Sequence, residues 1–400
     1  MRWLFLCVVA VTVLVGVASR VSVCQQPSAT KPADTLEEFA IGKHGRPIVV
    51  PVRLDDENYS FAVDTGSAIS IFDTSLKSKL GKAKGTATIR TSLGQGQVDV
   101  FNSPDAFVGK LSLKACDQVT CLNLEAVRRA SGKDIYGVLG IDFLKHFVVQ
   151  LDFDGGTLRF FKEVGTQKER LGSPLTIALN GEHCPTIKAF IGEKHEEEFV
   201  IDTGATNMAI ESSLFDRLVK SEEIAPGASS AVATVGGNFR ARSGKLLHMS
   251  IDGFALKDLR ADRDSKSSIG LRVLSRFLVT FDFPNGILHL KSGESLSEPD
   301  PPATSGLVLI QHQGKTLVKA VKPNSPAAKA GIQANDELLA IDGKSNSGLD
   351  LFDIGELLTI EVGKKARLRL RRNDDEIEMD FELADRYRPA SPTSKPKSDQ

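Results

Sequence analysis

One stretch of this chain occurs twice, and the repetition limits what it can fold into. Phe61-Ala62-Val63-Asp64-Thr65-Gly66-Ser67-Ala68 returns 138 positions later as Phe199-Val200-Ile201-Asp202-Thr203-Gly204-Ala205-Thr206. In both, apolar residues run directly into Asp-Thr-Gly, and a strand rich in β-branched and aromatic residues is an uncommon place for a carboxylate. A second signature follows each copy. Val138-Leu139-Gly140-Ile141-Asp142 leads into Phe147 to Phe153, a turn at Asp154-Gly155-Gly156 and Leu158-Arg159-Phe160. Ile269-Gly270-Leu271-Arg272 leads into Phe277 to Phe283, a turn at Pro284-Asn285-Gly286 and Leu288-His289-Leu290. From Gly140 against Gly270 onward the offset is a constant 130, so the second copy has lost eight residues from its loops. Two units this long do not make a solenoid. They predict two homologous β-rich lobes, residues 40–163 and 172–292, related by a pseudo-twofold axis.

The first lobe opens with a predicted hairpin that delivers Asp64: Ile48 to Leu54 turns at Asp55–Asn58 into Tyr59 to Val63. Further hairpins have Gly-rich tips at Gly94-Gln95-Gly96 and at Gly236-Gly237. Asp142 is positioned to cap a helical turn over Phe143 to Phe147. Asp152 and Asp282 recur as well, each beside a hairpin turn, where a structural role is expected.

A chain of 400 residues has room for two or three domains. A net charge of −1 excludes the basic footprint of nucleic-acid binding and gives no attraction to an anionic membrane. The seven histidines are scattered and no cysteine pair has ligand spacing, so neither a metal nor another cofactor is expected. Residues 1–24 have the form of a signal peptide: Arg2, an apolar run from Trp3 to Ala18, and small residues at Ala18-Ser19. The run covers about 24 Å as a helix, short of a bilayer core of about 30 Å. The mature chain is therefore expected to be exported, periplasmic or extracellular, with no stable membrane span once the leader is cut. An uncleaved leader, or lipidation at Cys24, would anchor it instead. Cys116 and Cys121 either close a small disulfide loop or stay reduced beside Cys184 as packing thiols.

Residues 25–39 and 293–304 read as linkers and 386–400 as a disordered tail, on their Pro, Ser, Lys and acidic content. Between them, residues 305–385 form a third unit. It has strands at Gly306 to Ile310, Leu317 to Val321, Asp336 to Ile341 and Ala366 to Arg371. It also has a short helix from Ser325 to Ala330 ending at Gly331, and an amphipathic helix from Leu351 to Thr359.

Two carboxylates about 3 Å apart cannot both ionise, so they share one proton and titrate as a pair. Such a pair activates water with one member and protonates a carbonyl oxygen with the other, without metal or covalent intermediate. On this reading Asp64 and Asp202 are the catalytic pair, and Thr65 and Thr203 bond to the opposite lobe's backbone. Gly66 and Gly204 permit tight turns, and Ser67 donates to the outer oxygen of Asp64 where Ala205 has nothing equivalent. The two Asp-Thr-Gly segments with their hydrophobic-Gly partners resemble retropepsin-type aspartic proteases, joined in one chain as in pepsin-like enzymes. The resemblance covers about 250 residues. It implies a mainly β, bilobal acid-protease fold that hydrolyses peptide bonds, with Gly94, Gln95, Gly96, Gly236 and Gly237 in substrate-covering flaps. Neither tip carries the flap Tyr of pepsin-like enzymes, and Arg272 replaces Asp142 in the second copy.

The third unit resembles a PDZ domain, on Gly306-Leu307-Val308-Leu309, Asn324 to Ile332 and Asp336 to Gly343. That resemblance implies capture of an extended peptide, often a C-terminus, at Gly306, Leu307, Val308 and Leu309. Val308 stands at the usual second glycine of the loop. The chain reads as a monomeric exported aspartic endopeptidase acting on protein or peptide substrates. A non-catalytic peptide-binding scaffold with a lapsed cleft is the alternative, and catalysis in a homodimer a third.

Overall fold

A computed structural model of the chain describes residues 34–91, 94–165, 171–192, 195–227, 230–234 and 237–387. The leader 1–24, Cys24, Gly236 and the tail from 388 onward lie outside the described residues.

In the first lobe the strands are β1 (Thr35–Ala40), β2 (Val49–Leu54), β3 (Glu57–Val63), β4 (Ile71–Asp73), β5 (Gly85–Thr91), β6 (Gly94–Asn102) and β7 (Gln118–Leu122). Helix α1 (Glu125–Ser131), β8 (Ile135–Leu139), the single turn α2 (Ile141–Leu144), β9 (Val148–Asp152) and β10 (Thr157–Phe161) complete it. The second lobe contains β11 (Ser173–Thr176), β12 (Pro185–Ile191), β13 (His195–Ile201), β14 (Met208–Glu211), α3 (Ser212–Lys220), and the hairpin β15 (Ser230–Thr234) and β16 (Gly237–Ala241). It ends with β17 (Ser243–Ile251), β18 (Phe254–Asp264), β19 (Ser268–Ile269), the turn α4 (Leu271–Leu274), β20 (Phe277–Asp282) and β21 (Ile287–Ser292).

Each lobe has its own sheet, ordered β5-β6-β7-β4-β8-β3-β2 in the first and β12-β13-β19-β14-β18-β17 in the second, with two-residue and three-residue strands on the flanks. A six-stranded sheet, β1-β10-β9-β20-β21-β11, is shared between them. Its centre is the antiparallel pair β9 and β20, in which Gln150 faces Thr280. Those two residues are counterparts at the repeat offset, so the pseudo-twofold axis passes between them, and Gln150 Nε2 donates to Thr280 Oγ1 across it (3.0 Å). One hydrophobic core runs through both lobes. It is built on phenylalanine, with Phe61, Phe72, Phe143, Phe160, Phe199, Phe277 and Phe281 fully buried.

The third unit has a separate core around Val318, Leu338, Ile341, Ile354, Leu368 and Leu370. Its sheet is ordered β22 (Leu307–His312), β23 (Lys315–Val321), β24 (Glu337–Ile341), β25 (Lys365–Arg372) and β26 (Asp375–Glu382), with β22 at an edge. Ser325 caps the turn α5 (Pro326–Lys329), and Asp350 with Asp353 forms a capping box on α6 (Leu351–Leu357).

Several expectations are corrected. The predicted linker 25–39 runs into β1, because alternation at Leu36, Glu37, Glu38 and Phe39 fits a sheet edge; β1 pairs with β10 and Phe39 meets Phe160 edge-on. The predicted linker 293–304 is tied down: buried Asp300 pairs with Arg276 (2.8 Å) and Ala303–Thr304 pairs with Ala384–Asp385. Arg386 and Tyr387, read as the start of a loose tail, are buried, and Arg386 N–H donates to Pro302 O (2.8 Å). Cys116, Cys121 and Cys184 are all free and buried, so no disulfide loop forms.

Candidate active site

β3 and β13 end at the junction of the lobes and deliver Asp64 and Asp202 to one place. The two backbones are held alike. Asp64 N–H donates to Leu139 O and Asp202 N–H to Ile269 O, each at 3.0 Å. Ile141 N–H donates to Ser67 O and Leu271 N–H to Ala205 O, each at 2.8 Å. Gly140 and Gly270 have ordinary extended backbone angles. They are glycine because of close approach: a Cβ at Gly140 would lie 2.7 Å from the Ile69 carbonyl carbon, and one at Gly270 2.3 Å from Asn207 O. The hydrophobic-Gly element is thus the buttress against which each Asp-Thr-Gly loop rests.

Thr65 and Thr203 lock the lobes together. Thr65 Oγ1 donates to Ile201 O (2.6 Å) and accepts from Thr203 N–H (3.1 Å). Thr203 Oγ1 donates to Val63 O (2.8 Å) and accepts from Thr65 N–H (3.0 Å). Both side chains are buried, so four hydrogen bonds in a dry environment fix the separation of the strands that carry the aspartates.

Each glycine of the motif lies over the opposite aspartate. A Cβ on Gly66 would come within 2.5 Å of Asp202 Cγ, and one on Gly204 within 2.4 Å of Asp64 Cγ. The expected tight turns are present, with Ser67 N–H donating to Asp64 O and Ala205 N–H to Asp202 O (3.3 Å each), and the need for glycine in them is steric. Neither glycine is among the residues of positive φ, and what they provide is room for a carboxylate.

Burial raises the pKa of both aspartates. Asp64 is pushed up to about 8, first by burial and then by the charge of Asp202. Asp202 is raised by burial, with the charge of Lys266 as the largest opposing influence. The hydrogen bond between the two carboxyl groups raises Asp64 and lowers Asp202. They differ, but not as the sequence suggested. Ser67 Oγ donates to Ile69 O (2.9 Å) rather than to Asp64. Asp64 Oδ1 accepts one backbone N–H, from Gly66 (2.8 Å), whereas Asp202 Oδ1 accepts two, from Gly204 and Ala205 (3.0 Å each).

Two nearby residues, Lys266 and Glu182, escaped the sequence reading, and a third, Cys184, was read only as a packing thiol. Lys266, three residues before Ile269, acts electrostatically on both aspartates and pairs with Glu182 (3.3 Å). Cys184 Sγ reaches Gly66 O (3.2 Å), and burial pushes its thiol up to about 11. Only the repeat alignment hinted at Lys266, which stands where the first copy has Tyr136.

Asp142 does not cap a helix over Phe143–Phe147. The turn covers Ile141–Leu144 with Gly140 at its cap, and the Asp142 carboxylate accepts from Ser70 N (2.9 Å) and Ser70 Oγ (2.7 Å). In the second lobe Met208 and Arg272 take those two positions, so this brace has no counterpart. Asp152 and Asp282 accept from Gly155 N–H and Asn285 N–H in their turns. Gly94 begins β6, and Gln95 and Gly96 are exposed, with open space where a Gly96 Cβ would stand. Gly237 begins β16 and pairs with Thr234. Gly306 has a positive φ of 84° and packs on Ser325, while Leu307, Val308 and Leu309 open the edge strand β22.

Among the described residues no group of His, Cys, Asp or Glu side chains is arranged to hold a metal ion, and no helix is long and apolar enough to cross a membrane. No match was found among curated proteins. Among solved structures, a photosystem II D1 C-terminal processing protease is similar over 21% of this chain and 23% of its own, at 24% identity and a TM-score of 0.20. Two family models match: an aspartyl protease model over residues 50–143 and 187–263, and a PDZ domain model over 317–372. The chain carries an aspartyl protease domain, in two segments, followed by a PDZ domain.

Proposed function

We propose that the chain is an exported, monomeric aspartic endopeptidase whose Asp64 and Asp202 activate water for peptide-bond hydrolysis. The observation that carries this reading is the pair itself: two aspartates from homologous strands, hydrogen-bonded to each other and fixed by the reciprocal bonds of Thr65 and Thr203. In the singly protonated pair the ionised carboxylate takes a proton from water as it attacks the scissile carbonyl carbon. The protonated carboxyl gives its proton to the carbonyl oxygen, forming a tetrahedral diol. The C–N bond then breaks: the amine takes the proton that the pair gained from water, a diol hydroxyl gives its proton to the other carboxylate as the acid forms, and the pair is back in its one-proton state. Gly94, Gln95, Gly96, Gly236 and Gly237 serve in flaps over substrate, Gly306 to Leu309 take a peptide terminus, and residues 1–24 direct export.

The test compares wild type, Asp64→Asn and Asp202→Asn on an unfolded protein substrate from pH 4 to 8, with and without pepstatin. Loss of cleavage in either variant and inhibition of wild type by pepstatin are expected. Cleavage that survives both substitutions, or an inactive wild type, sinks the reading and leaves a peptide-binding scaffold.

A further inference from the structure

The charge of Lys266 acts on both proposed catalytic carboxyls, and a short path of contacts joins it to them. Lys266 Nζ lies 3.3 Å from Glu182 Oε2. Two residues on, Cys184 Sγ–H donates to Gly66 O (3.2 Å). Gly66 is the glycine whose added Cβ would come within 2.5 Å of Asp202 Cγ. The backbone after Lys266 leads to the same place. Ser267 O accepts from Val200 N–H (3.1 Å) and Ile269 O from Asp202 N–H (3.0 Å), so this segment runs beside the strand that carries Asp202. The lysine is thus placed next to the aspartate pair by its acidic partner on one side and by its own chain on the other.

Its ion pair is open to exchange. The Lys266 and Glu182 side chains keep 45% and 41% of their surface exposed, and a pair so exposed adds little stability. Among the described residues Glu182 is the one ion-pair partner of Lys266, whereas an ammonium has three donors. A carboxylate arriving with a substrate can therefore join or replace Glu182 at small cost. A substrate whose scissile carbonyl lies over Asp64 and Asp202 is extended, and at about 3.3 Å per residue the side chains flanking that bond lie next to the pair. The repeat makes the two flanks unequal. Tyr136, the counterpart of Lys266 at the offset of 130, is uncharged and already engaged within its own lobe. It stands edge-on to Tyr59 at 5.7 Å and carries the Arg128 guanidinium over its ring at 5.1 Å. Counterparts lie on opposite sides of the pseudo-twofold axis, so a peptide crossing between the aspartates meets the lysine on one side only.

We propose that Lys266 determines specificity, selecting an aspartate or glutamate side chain at a substrate position flanking the scissile bond, on one side of it only, in exchange for Glu182. The substrate class is then an extended peptide with an acidic residue beside the cut. The proposal rests on the aspartic-peptidase reading of Asp64 and Asp202, and Lys266 itself takes no part in breaking the bond.

The test uses the full chain and a synthetic library of dodecapeptides, acetylated and amidated so that no free terminal carboxylate is offered to the PDZ domain. Cleavage at pH 6 is mapped by mass spectrometry. Wild type is expected to cut about fivefold or more often beside Asp or Glu than beside Asn or Gln, on one side of the bond. Lys266→Met loses that preference and still cuts neutral peptides. Lys266→Glu turns the preference to Lys and Arg at the same position, and Glu182→Gln, which takes away the competing carboxylate, sharpens the acidic one. A merely structural role would instead lower cleavage of all peptides alike. The second arm reads retention of the same library on immobilised Asp64→Asn, with and without Lys266→Met, where no cleavage is needed. No acidic preference in wild type, a preference that survives Lys266→Met, or one that appears on both sides of the bond overturns the proposal and leaves the peptidase reading intact. Absence of cleavage by any form, with acidic peptides retained only where Lys266 is present, overturns the peptidase reading and leaves Lys266 as the selecting residue. Absence of both cleavage and Lys266-dependent retention overturns the two together.

Discussion

Replacing Asp64 with Asn separates the stability of this protein from its proposed chemistry. Asp64 is pushed up to about 8, chiefly by burial, against an ordinary carboxylate value of about 4. The native protein therefore binds more protons than the unfolded chain between those limits. Stability falls as pH rises through that window, and the loss is complete above about 8. At pH 7 the native pair retains a proton across about three pH units, an upper limit of about 4 kcal/mol at about 1.4 kcal/mol per unit. Asn has the same shape, carries no charge and keeps an oxygen for the Gly66 N–H, so the variant avoids this cost. It should be about 2–4 kcal/mol more stable than wild type at pH 7, or on the order of 5–10 °C in Tm, and indistinguishable from it at pH 4. Differential scanning calorimetry at pH 4, 5.5 and 7, beside a cleavage assay, reads both effects. A variant less stable than wild type at pH 7 would refute the reasoning, since it would mark Asp64 as a favourably paired carboxylate. A difference that did not grow with pH would refute it equally.

Other substitutions probe the same frame. Thr65→Val removes a buried hydroxyl that donates to Ile201 O and accepts from Thr203 N–H. It should cost about 2–4 kcal/mol in chemical denaturation, and Thr203→Val the same, with the double variant costing less than their sum. Gly66→Ala puts a methyl within 2.5 Å of Asp202 Cγ, so cleavage should drop at least about 100-fold while the far-ultraviolet circular dichroism stays that of wild type. Lys266→Met removes a positive charge that lowers both aspartates' pKa values. The alkaline limb of the kcat/KM profile, near pH 8 in wild type, should move to higher pH. Cys184, buried and pushed up to about 11, should resist iodoacetamide at pH 7.5 in the native protein and react only on denaturation, as read by mass spectrometry.

The sequence made the repeat, the pairing of two Asp-Thr-Gly segments and the cross-lobe role of the threonines legible, because each is a local pattern that occurs twice. The constant offset of 130 even fixes the axis, since the counterparts Gln150 and Thr280 must face each other where the lobes share a sheet. What remained hidden depends on the partner side chain rather than the residue type. Ser67 has the right hydroxyl beside Asp64, but the Ile69 carbonyl is the acceptor it reaches. Composition marked 293–304 as a linker, but buried Asp300 beside Arg276 and the pairing of Ala303–Thr304 with Ala384–Asp385 hold this Pro-rich segment in place. Residues 35–39 alternate too briefly to outweigh the polar stretch before them, and become a strand because β10 offers an open edge.

The duplicated backbone and the unequal electrostatics belong together. Matching hydrogen bonds from Asp64 to Leu139 and from Asp202 to Ile269 place the two carboxyl groups symmetrically. A pair sharing one proton works in a defined direction only if its members differ in basicity. The difference here comes from side chains that the repeat did not preserve and from one additional backbone donor. Asp202 accepts from Ala205 as well as Gly204 and feels Lys266 as its largest opposing influence, so its charged form is the better supported. Asp64 has a single backbone donor and faces the charge of Asp202. These contacts favour the charge on Asp202 and the proton on Asp64, so on the proposed reading Asp202 takes the first proton from water and Asp64 supplies one to the carbonyl oxygen.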